Sequence, residues 1–286
     1  MLKILILGGS GMLGHMITRY LEHQNKYQIT AVVRNLDSTR RIFQDTTAII
    51  ACMDCNDMTK MKEIVMEVRP NVCINCIGVI KQNDLSKNHV ESIRINSLFP
   101  HLMRVVCIEN MCRFIHFSTD CVFDGSLGNY TESDIPNARD LYGLTKLLGE
   151  SHCDNSLTIR TSIIGPELTR KSSLLEWFLS QKSAIKGYTK AFFSGLTTLE
   201  IAKQLHENIL PDISINGLYH LSGPKINKYE LLTVASKVYN KNLEIIIDEH
   251  LVIDRSLRSD KYNEKTGYIP PSWSTLLEEL RSSNLY

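Results

Sequence analysis

Apolar runs alternate with helix-like stretches along the first half of the chain. KILILGG, QITAVVR, TAIIACM, NVCINCIG and RFIHFSTD are short and nearly continuous in apolar residues. Between them, MLGHMITRYLEHQ, MTKMKEIVMEVRP and SIRINSLFPHLMRVVCIENM have the apolar spacing of helices. Strands that are apolar on both faces are typical of a parallel sheet covered by helices on both sides. The pattern therefore predicts a doubly wound α/β domain of the Rossmann type over residues 1–165.

The pattern changes after Pro166. Helical segments predominate there (SLLEWFLSQ, TLEIAKQLHENIL, KYELLTVASKVYN), and the strand-like segments GLYHLSG and LEIIID are shorter. The sequence contains no linker or repeat between the two halves. Residues 166–286 are therefore predicted to form a smaller lobe packed directly on the first, with some segments returning to the large sheet.

Composition excludes several classes of partner. The 286 residues carry a net charge of +1 and contain no basic or acidic block, so we expect neither a nucleic-acid partner nor a membrane-surface partner. The apolar start MLKILILGG is too short to span a bilayer and lacks a small-residue cleavage site. We interpret it as a buried strand and expect a soluble, cytoplasmic protein.

Two cysteine pairs have the spacing of a zinc site. Cys52 and Cys55 form one pair, Cys73 and Cys76 the other, and 17 residues separate the pairs. The second pair lies on a predicted strand, where residues three apart point to opposite faces of the sheet. We therefore predict no metal site.

A glycine-rich turn follows the first predicted strand. LILGGSGMLGHM places Gly8, Gly11 and Gly14 between that strand and the first helix. In a dinucleotide-binding turn these glycines serve the tight turn, the approach of backbone to a pyrophosphate, and close packing of helix on strand. The phosphates lie at the helix N-terminus. The candidate cofactor-binding residues of this turn are Gly8, Ser10, Gly11, Met12, Leu13 and Gly14.

Residues after the next strands indicate which dinucleotide is bound. Arg34 stands where an NAD site usually has a carboxylate, and a guanidinium suits the 2′-phosphate of NADP. NADPH is therefore the expected cofactor, with NADH as the alternative. Asp54 is placed either to accept from the adenine amino group or to form a turn. Cys76, Ile77 and Gly78 end the fourth strand, where the dinucleotide would cross the sheet edge.

The stretch DLYGLTK puts Tyr142 and Lys146 four residues apart, on one face of a helix. In an arbitrary helix such a pair is usually packing plus a solvated ammonium. Thr119, at the end of the fifth predicted strand, lies on the same carboxyl edge of the sheet as the glycine turn, where a small hydroxyl side chain can reach a ligand.

Together GGSGMLG, STDCVFDG and YGLTKLLGE resemble the extended short-chain dehydrogenase/reductases, and within them the dTDP-4-dehydrorhamnose reductase group of sugar-nucleotide 4-ketoreductases. The later segments IRTSIIGPEL, FFSGLTTLEIAK and DRSLRSDKYNEKTGYIPPSW are also similar. The resemblance implies that Thr119, Tyr142 and Lys146 are catalytic. It further implies that Tyr142 and Lys146 contact the cofactor, that Thr119 contacts substrate, and that the C-terminal lobe binds substrate.

These implied roles agree with acid–base chemistry. We expect the Lys146 ammonium to lower the pKa of Tyr142, so that the tyrosine exchanges a proton with a sugar oxygen near neutral pH. Thr119 would hydrogen-bond the same oxygen. Asn96 is expected either to hold Lys146 through water, as in the relatives, or to be a polar residue on a helix face.

Two departures from the family pattern bear on the substrate. Cys121 stands where dehydratases have glutamate and these ketoreductases usually have tyrosine, which disfavours a dehydratase. Residues 137–140 separate the usual proline from the tyrosine segment, so the sugar stays open.

The resemblance implies NADPH-dependent reduction of the 4-keto group of a dTDP- or UDP-linked 6-deoxyhexose, for surface polysaccharide or O-antigen synthesis. Lys225 and Arg255 are candidates for binding the diphosphate of this nucleotide sugar. The alternatives are a nucleotide-sugar 4-epimerase and a non-catalytic NADP-binding subunit like the regulatory subunit of methionine adenosyltransferase. Some relatives are homodimers, and this chain is a candidate for the same assembly.

Overall fold

The computed structural model describes residues 1–36, 39, 43, 46–80, 88–153, 155–168 and 173–285. Seven strands form one sheet in the order β11-β6-β5-β4-β1-β2-β3, and every neighbouring pair is parallel. These strands are β1 (Leu2–Leu7), β2 (Tyr27–Val33), β3 (Ile49–Cys52), β4 (Val72–Asn75), β5 (Arg113–Phe117), β6 (Ser156–Arg160) and β11 (Gly217–His220). The predicted doubly wound α/β fold is confirmed.

Helices cover both faces of this sheet. In chain order they are α1 (Met12–His23), α2 (Met58–Val68), α3 (His89–Ile93), α4 (Phe99–Glu109), α5 (Leu141–Leu148), α6 (Leu174–Ser180), α7 (Thr198–Gln204), α8 (Lys228–Val238), α9 (Asp260–Thr266) and α10 (Trp273–Ser282). The helix predicted before the fifth strand is interrupted by a π-helical turn at Arg94–Leu98, and a second such turn, Leu205–Ile209, continues α7.

The central strand β1 shows why the strands read as continuous apolar runs. Ile4 and Ile6 pack into one hydrophobic core, and Leu5 and Leu7 pack into another on the opposite face. Successive side chains of a strand point to opposite faces, so both sets must be apolar when both faces are covered. The larger core also contains apolar residues of α7 and α10, which joins the C-terminal half of the chain to the sheet.

The strand order reverses between β1 and β4. In an open parallel sheet, ligands bind beyond the carboxyl ends of the strands at such a switch point. The turns after β1, β2, β4 and β5 all lie at this edge because the strands are parallel. The fold therefore brings the glycine turn and Thr119 to the same side of the molecule.

Smaller sheets lie beyond β6 and, together with α8, are called the second lobe from here on. They are a two-stranded pair of β7 (Ile163–Ile164) with β10 (Leu196–Thr197), a pair of β8 (Ile185–Tyr188) with β13 (Ile245–Asp248), and a three-stranded sheet of β12 (Ile226–Asn227), β9 (Ala191–Phe193) and β14 (Ile253–Asp254). Among the helices that the structure describes, none combines the length and the hydropathy needed to cross a membrane.

A buried ion pair joins the end of the α5 segment to β6. Arg160 donates from Nε and Nη2 to the two carboxylate oxygens of Glu150, at 2.9 and 2.7 Å, and both side chains are 2% exposed. Ser118 Oγ donates to the same carboxylate at 2.6 Å. Burial alone would raise the pKa of Glu150, but hydrogen bonds from His152, Arg160 and Ser118 lower it to about 2. The pair holds the end of the α5 segment on β6, and Ser118 connects it to the residue before Thr119.

Arg160→Met should lower the free energy of unfolding by roughly 3–5 kcal/mol, because it leaves the buried Glu150 carboxylate without its guanidinium partner. Urea denaturation measures this change. Lys190→Met is the matched control, since it breaks an exposed ion pair with Glu249 whose loss should cost about 1 kcal/mol or less. Equal costs for the two variants would contradict the structural role of the buried pair.

Candidate active site

The glycine turn after β1 approaches the neighbouring strand closely. Gly8 has φ +82°, a conformation that favours glycine, and the backbone N–H groups of Gly8 and Gly9 both donate to Val32 O, at 3.0 and 2.9 Å. A Cβ on Gly14 would lie 2.2 Å from Gly8 O. The structure thus places Gly8 in the tight turn and Gly14 at the contact between helix and turn, as the spacing predicted.

The first turn of α1 is suited to an anion. Gly11 occupies the N-cap position with extended backbone, provides no capping side chain, and is followed by no acidic residue in the first turn. Ser10 and Met12 are half-buried at the surface of this turn, and Leu13 is buried in the core. Backbone N–H groups and the positive end of the helix dipole therefore face the switch point. These residues fit the pyrophosphate of a dinucleotide.

Arg34 and Asp54 lie on neighbouring segments beyond β2 and β3. Arg34 is exposed, and its carbonyl accepts a hydrogen bond from Cys52 Sγ at 3.2 Å. Asp54 is also exposed, and its Oδ1 accepts from the Asn56 N–H at 2.9 Å. The turn role considered for Asp54 is therefore present, and its contact with adenine stays a prediction.

The end of β4 is held by side chains of the sheet. Asn75 is buried, its Nδ2 donates to His116 Nδ1 at 3.0 Å, and its Oδ1 accepts from the Ile77 N–H at 3.0 Å. Gly78 is exposed, and a Cβ there would lie 3.4 Å from Asn96 Oδ1 and 3.9 Å from Lys146 Nζ. Cys76, Ile77 and Gly78 therefore form the segment that lies against the catalytic candidates.

Tyr142 and Lys146 lie one turn apart on α5, as predicted. Asp140 caps this helix by accepting from the Gly143 N–H at 3.0 Å. Gly143 itself packs against the turn after β5, because a Cβ there would lie 2.2 Å from Cys121 O. Sequence reasoning missed Gly143, although a glycine inside a short helix is itself a signal of close packing.

Thr119 meets Tyr142 at the carboxyl end of β5. It is buried, caps a short 3₁₀ turn by accepting from the Cys121 N–H at 3.1 Å, and donates to Asp120 Oδ1 at 3.1 Å. The Thr119 hydroxyl also lies within reach of the Tyr142 hydroxyl and acts on its pKa. Two hydroxyl groups are thus presented together, which is what binding of one carbonyl oxygen requires.

The charge state of Tyr142 differs from the expectation. Burial raises the pKa of Tyr142 above its ordinary value, and nearby acidic groups, Cys121 first, add to the effect. The Thr119 hydroxyl only partly opposes this rise. The predicted lowering of the pKa of Tyr142 by Lys146 is therefore wrong for the polypeptide alone, because burial and the neighbouring acidic groups raise this pKa and Lys146 is not among the groups that act on it. The phenol is protonated at neutral pH.

Lys146 is a buried cation. Its Nζ donates to Phe117 O at 2.7 Å, and the side chain lies inside the protein. Burial lowers the pKa of Lys146 to about 8, and the negative charge of Glu150 limits the fall. The ammonium is thus fixed at the end of β5, directly beside Gly78.

Asn96 occupies the π-helical turn and clamps the segment after β4. Its Oδ1 accepts from the Val79 N–H at 2.8 Å, and its Nδ2 donates to Val79 O at 3.1 Å and to Thr145 Oγ1 at 3.2 Å. These contacts tie the Gly78 segment to α5. The water-mediated link to Lys146 stays a prediction.

The candidates for the substrate side have different surroundings. Lys225 forms an ion pair with Asp254 at 2.5 Å. Arg255 Nε donates to Phe123 O at 2.9 Å, and its Nη2 lies 3.9 Å from Asp140 Oδ2, so it joins the second lobe to the cap of α5. Lys228, which sequence reasoning missed, interacts electrostatically with Asp120 and Cys121. Nothing local in the sequence distinguishes it from a surface lysine.

The cysteines of the two CxxC pairs are free thiols. Cys73 packs into the core on one face of the sheet and Cys76 against the core on the other, as the strand geometry predicted. Cys73 instead packs in the same core as Cys107. Within the described ranges, no three His, Cys, Asp or Glu side chains are grouped as metal ligands.

Residues 2–244 match the model of the RmlD substrate binding domain family, so the chain belongs to this family and the resemblance noted in the sequence is confirmed. The chain is 26% identical over 271 residues to methionine adenosyltransferase 2 subunit beta of Xenopus tropicalis, covering 86% of this chain and 76% of that protein. It is also 26% identical over 266 residues to the probable low-salt glycan biosynthesis reductase Agl14 of Haloferax volcanii, covering 89% and 84% of the two chains.

The fold is shared with a solved reductase. The crystal structure of dTDP-4-dehydrorhamnose reductase from Bacillus anthracis in complex with NADP matches with a TM-score of 0.81 and 18% identity, covering 99% of this chain and 100% of that one. At this identity the match establishes the common fold.

Gly143→Ala should lower kcat by about 10- to 100-fold, because the added methyl group pushes α5 away from the Thr119 turn and misplaces Tyr142. Steady-state kinetics with a reducible substrate measure the change. Leu144→Ala alters the next residue, which is 41% exposed, and should leave kcat near wild type. A Gly143→Ala protein with unchanged kcat would show that the close contact has no catalytic importance.

Proposed function

We propose that this member of the RmlD substrate binding domain family uses NADPH to reduce the 4-keto group of a nucleotide-linked 6-deoxyhexose, in the synthesis of a cell-surface glycan. The observation that carries the proposal is that the Thr119 and Tyr142 hydroxyls lie next to each other, with the buried Lys146 one helical turn away. Similarity to the Haloferax volcanii reductase and the fold shared with an NADP-bound reductase support it.

The roles of the residues follow from their contacts. When bound, NADPH supplies the hydride that the carbonyl carbon accepts. Tyr142 gives the carbonyl oxygen its proton as negative charge develops, and Thr119 turns its single hydroxyl proton from Asp120 Oδ1 to the same oxygen when substrate binds. The raised pKa of Tyr142 keeps the phenol protonated, which suits a proton donor in the reductive direction. Lys146, held by Phe117 O, provides positive charge beside the Gly78 segment.

The cofactor and the nucleotide are parts of the same proposal. We assign the glycine turn to the pyrophosphate, Arg34 to the 2′-phosphate, and Cys76, Ile77 and Gly78 to the nicotinamide half. The substrate lies between Thr119 and the second lobe, and dTDP and UDP are the two nucleotides to test first.

A second candidate function is a non-catalytic, dinucleotide-binding regulatory subunit. The 26% identity to methionine adenosyltransferase 2 subunit beta over 86% of this chain favours it. The side chains of Thr119, Tyr142 and Lys146 lie together at the carboxyl end of β5, and this arrangement favours the reductase. The deciding experiment is an NADPH-oxidation assay over a panel of dTDP- and UDP-linked 4-keto sugars generated in situ. Net consumption of NADPH supports the reductase, and binding of NADPH without consumption supports the subunit.

Tyr142→Phe should lower kcat by roughly 10²–10⁴-fold, because the developing alkoxide loses its positioned proton donor. The Kd for NADPH, measured by fluorescence titration, should stay near wild type. Lys146→Met is the companion variant and should damage both kcat and NADPH binding. A Tyr142→Phe protein that consumed NADPH at the wild-type rate would remove Tyr142 from the mechanism.

Arg34→Ala should raise KM for NADPH by about 10-fold or more and change KM for NADH little, since a charge-assisted hydrogen bond contributes ~1.5–3 kcal/mol. Steady-state kinetics with the two cofactors separate these effects. Lys3→Ala, at the opposite end of the sheet, is the control and should leave both KM values unchanged. Equal effects of Arg34→Ala on NADPH and NADH would refute the 2′-phosphate contact.

A further inference from the structure

We propose that Lys228 and Asp120 together bind one hydroxyl group of the substrate's sugar ring, so that Lys228 is a positioning and specificity-determining residue; this inference rests on the proposed reductase function. The two residues belong to different lobes. Asp120 follows Thr119 in the turn after β5, and Lys228 begins α8 in the second lobe.

The second lobe holds Lys228 in place. Strand β12 pairs antiparallel with β9, with Ile226 opposite Phe193. Asn227 caps α8 by accepting from the Glu230 N–H at 2.8 Å. The Lys228 side chain extends over the Phe193 ring, with Nζ 3.6 Å from the ring centroid. A cation–π contact at this distance fixes the ammonium without using its hydrogen-bond donors.

The hydrogen-bond donors of the Lys228 ammonium are not used by the residues that the structure describes. The side chain is half-buried, and within the described part of the chain it makes neither a hydrogen bond nor an ion pair. Lys225, three residues earlier, is neutralised by its ion pair with Asp254. The three-stranded sheet lies against the turn that contains Asp120, because Arg255 donates from its backbone N–H to Phe192 O on β9 and from its Nε to Phe123 O. Asp120 acts electrostatically on Lys228 from this turn, without an ion-pair contact. Burying an ammonium without a bonded partner is costly, so a polar ligand is expected there.

The Asp120 carboxylate limits which functional group of a ligand can bind beside Lys228. It is 6% exposed, and its Oδ1 accepts from Thr119. Lys228 and Arg255 both favour its ionised form, although burial raises its pKa. A carboxylate only accepts hydrogen bonds and an ammonium only donates them, whereas a hydroxyl group does both. A hydroxyl between them satisfies both groups, and a phosphate would be repelled by Asp120. The pair therefore suits a ring hydroxyl beside the reacting carbonyl.

The test compares Lys228→Met, Lys228→Arg and Lys237→Met, the last being an exposed lysine on the same helix. With a 4-keto sugar nucleotide that wild type reduces, Lys228→Met should raise the sugar KM by about 10- to 100-fold and leave KM for NADPH within about 2-fold. Lys228→Arg should recover most of the affinity. Lys237→Met should match wild type.

A pH series separates charge from packing. Burial lowers the pKa of Lys228 to about 8, opposed by Asp120 and Cys121, so the wild-type sugar KM should rise as the pH passes that value. Lys228→Arg keeps its charge and should show a smaller rise. Lys146 titrates in the same range, but it is present in both the wild type and Lys228→Arg. The difference between their KM–pH curves therefore reports on residue 228.

Deoxy substrates identify the bound hydroxyl. Two substrates are compared, 4-keto sugar nucleotides that lack either the 2-hydroxyl or the 3-hydroxyl. For one of them, the KM of the wild-type protein should be as high as the KM of Lys228→Met for the complete substrate. For that deoxy substrate, Lys228→Met should raise the KM no further, because the effects of removing two interacting groups do not add. Additive losses with both substrates, or an unchanged sugar KM in Lys228→Met, would overturn the assignment and leave the reductase function standing. If wild type reduces no sugar of the panel, both proposals are wrong.

Discussion

A buried positive charge at the carboxyl edge of the sheet is the constraint on which the candidate site depends. Lys146 lies inside the protein, so its ammonium must be stabilised without water. The Phe117 carbonyl accepts a hydrogen bond from this ammonium at 2.7 Å, and the negative charge of Glu150 also favours the charged form of Lys146. Glu150 is itself kept ionised by Arg160. The ion pair between α5 and β6 therefore supports both the fold and the charge of the site.

Close backbone contacts set the distances within this site. Gly14 lies against the Gly8 carbonyl, Gly143 against the Cys121 carbonyl, and Gly149 so near Asn96 that a Cβ would lie 2.0 Å from its carbonyl oxygen. The first two contacts join a helix to the turn after a strand, and the third joins the end of α5 to the π-helical turn. Asn96 completes the arrangement from a π-helical turn, a form often found at functional sites. The glycine turn, the Gly78 segment and α5 are thus packed together as one unit.

The second lobe contributes charge to this unit. Its three-stranded sheet places Lys228 after β12 and Arg255 after β14, next to the turn that contains Asp120. Arg255 also contacts Phe123 O and Asp140, so it connects the lobe to the cap of α5. Substrate recognition in the proposed reaction therefore depends on how the lobe packs on the sheet, while proton transfer depends on residues of the sheet and α5.

The sequence by itself determined the doubly wound fold, the glycine turn and the spacing of Tyr142 and Lys146, because apolar periodicity, φ > 0 at Gly8 and helical repeat are local properties. It also showed that Cys73 and Cys76 lie on opposite faces of a strand. Only the tertiary structure decided the charge state of Tyr142, the partners of Lys225 and Arg255, and the position of Lys228. These depend on burial and on residues apart in the chain, from Lys225 and Asp254, 29 positions apart, to Arg255 and Phe123, 132 positions apart, which no local pattern brings together.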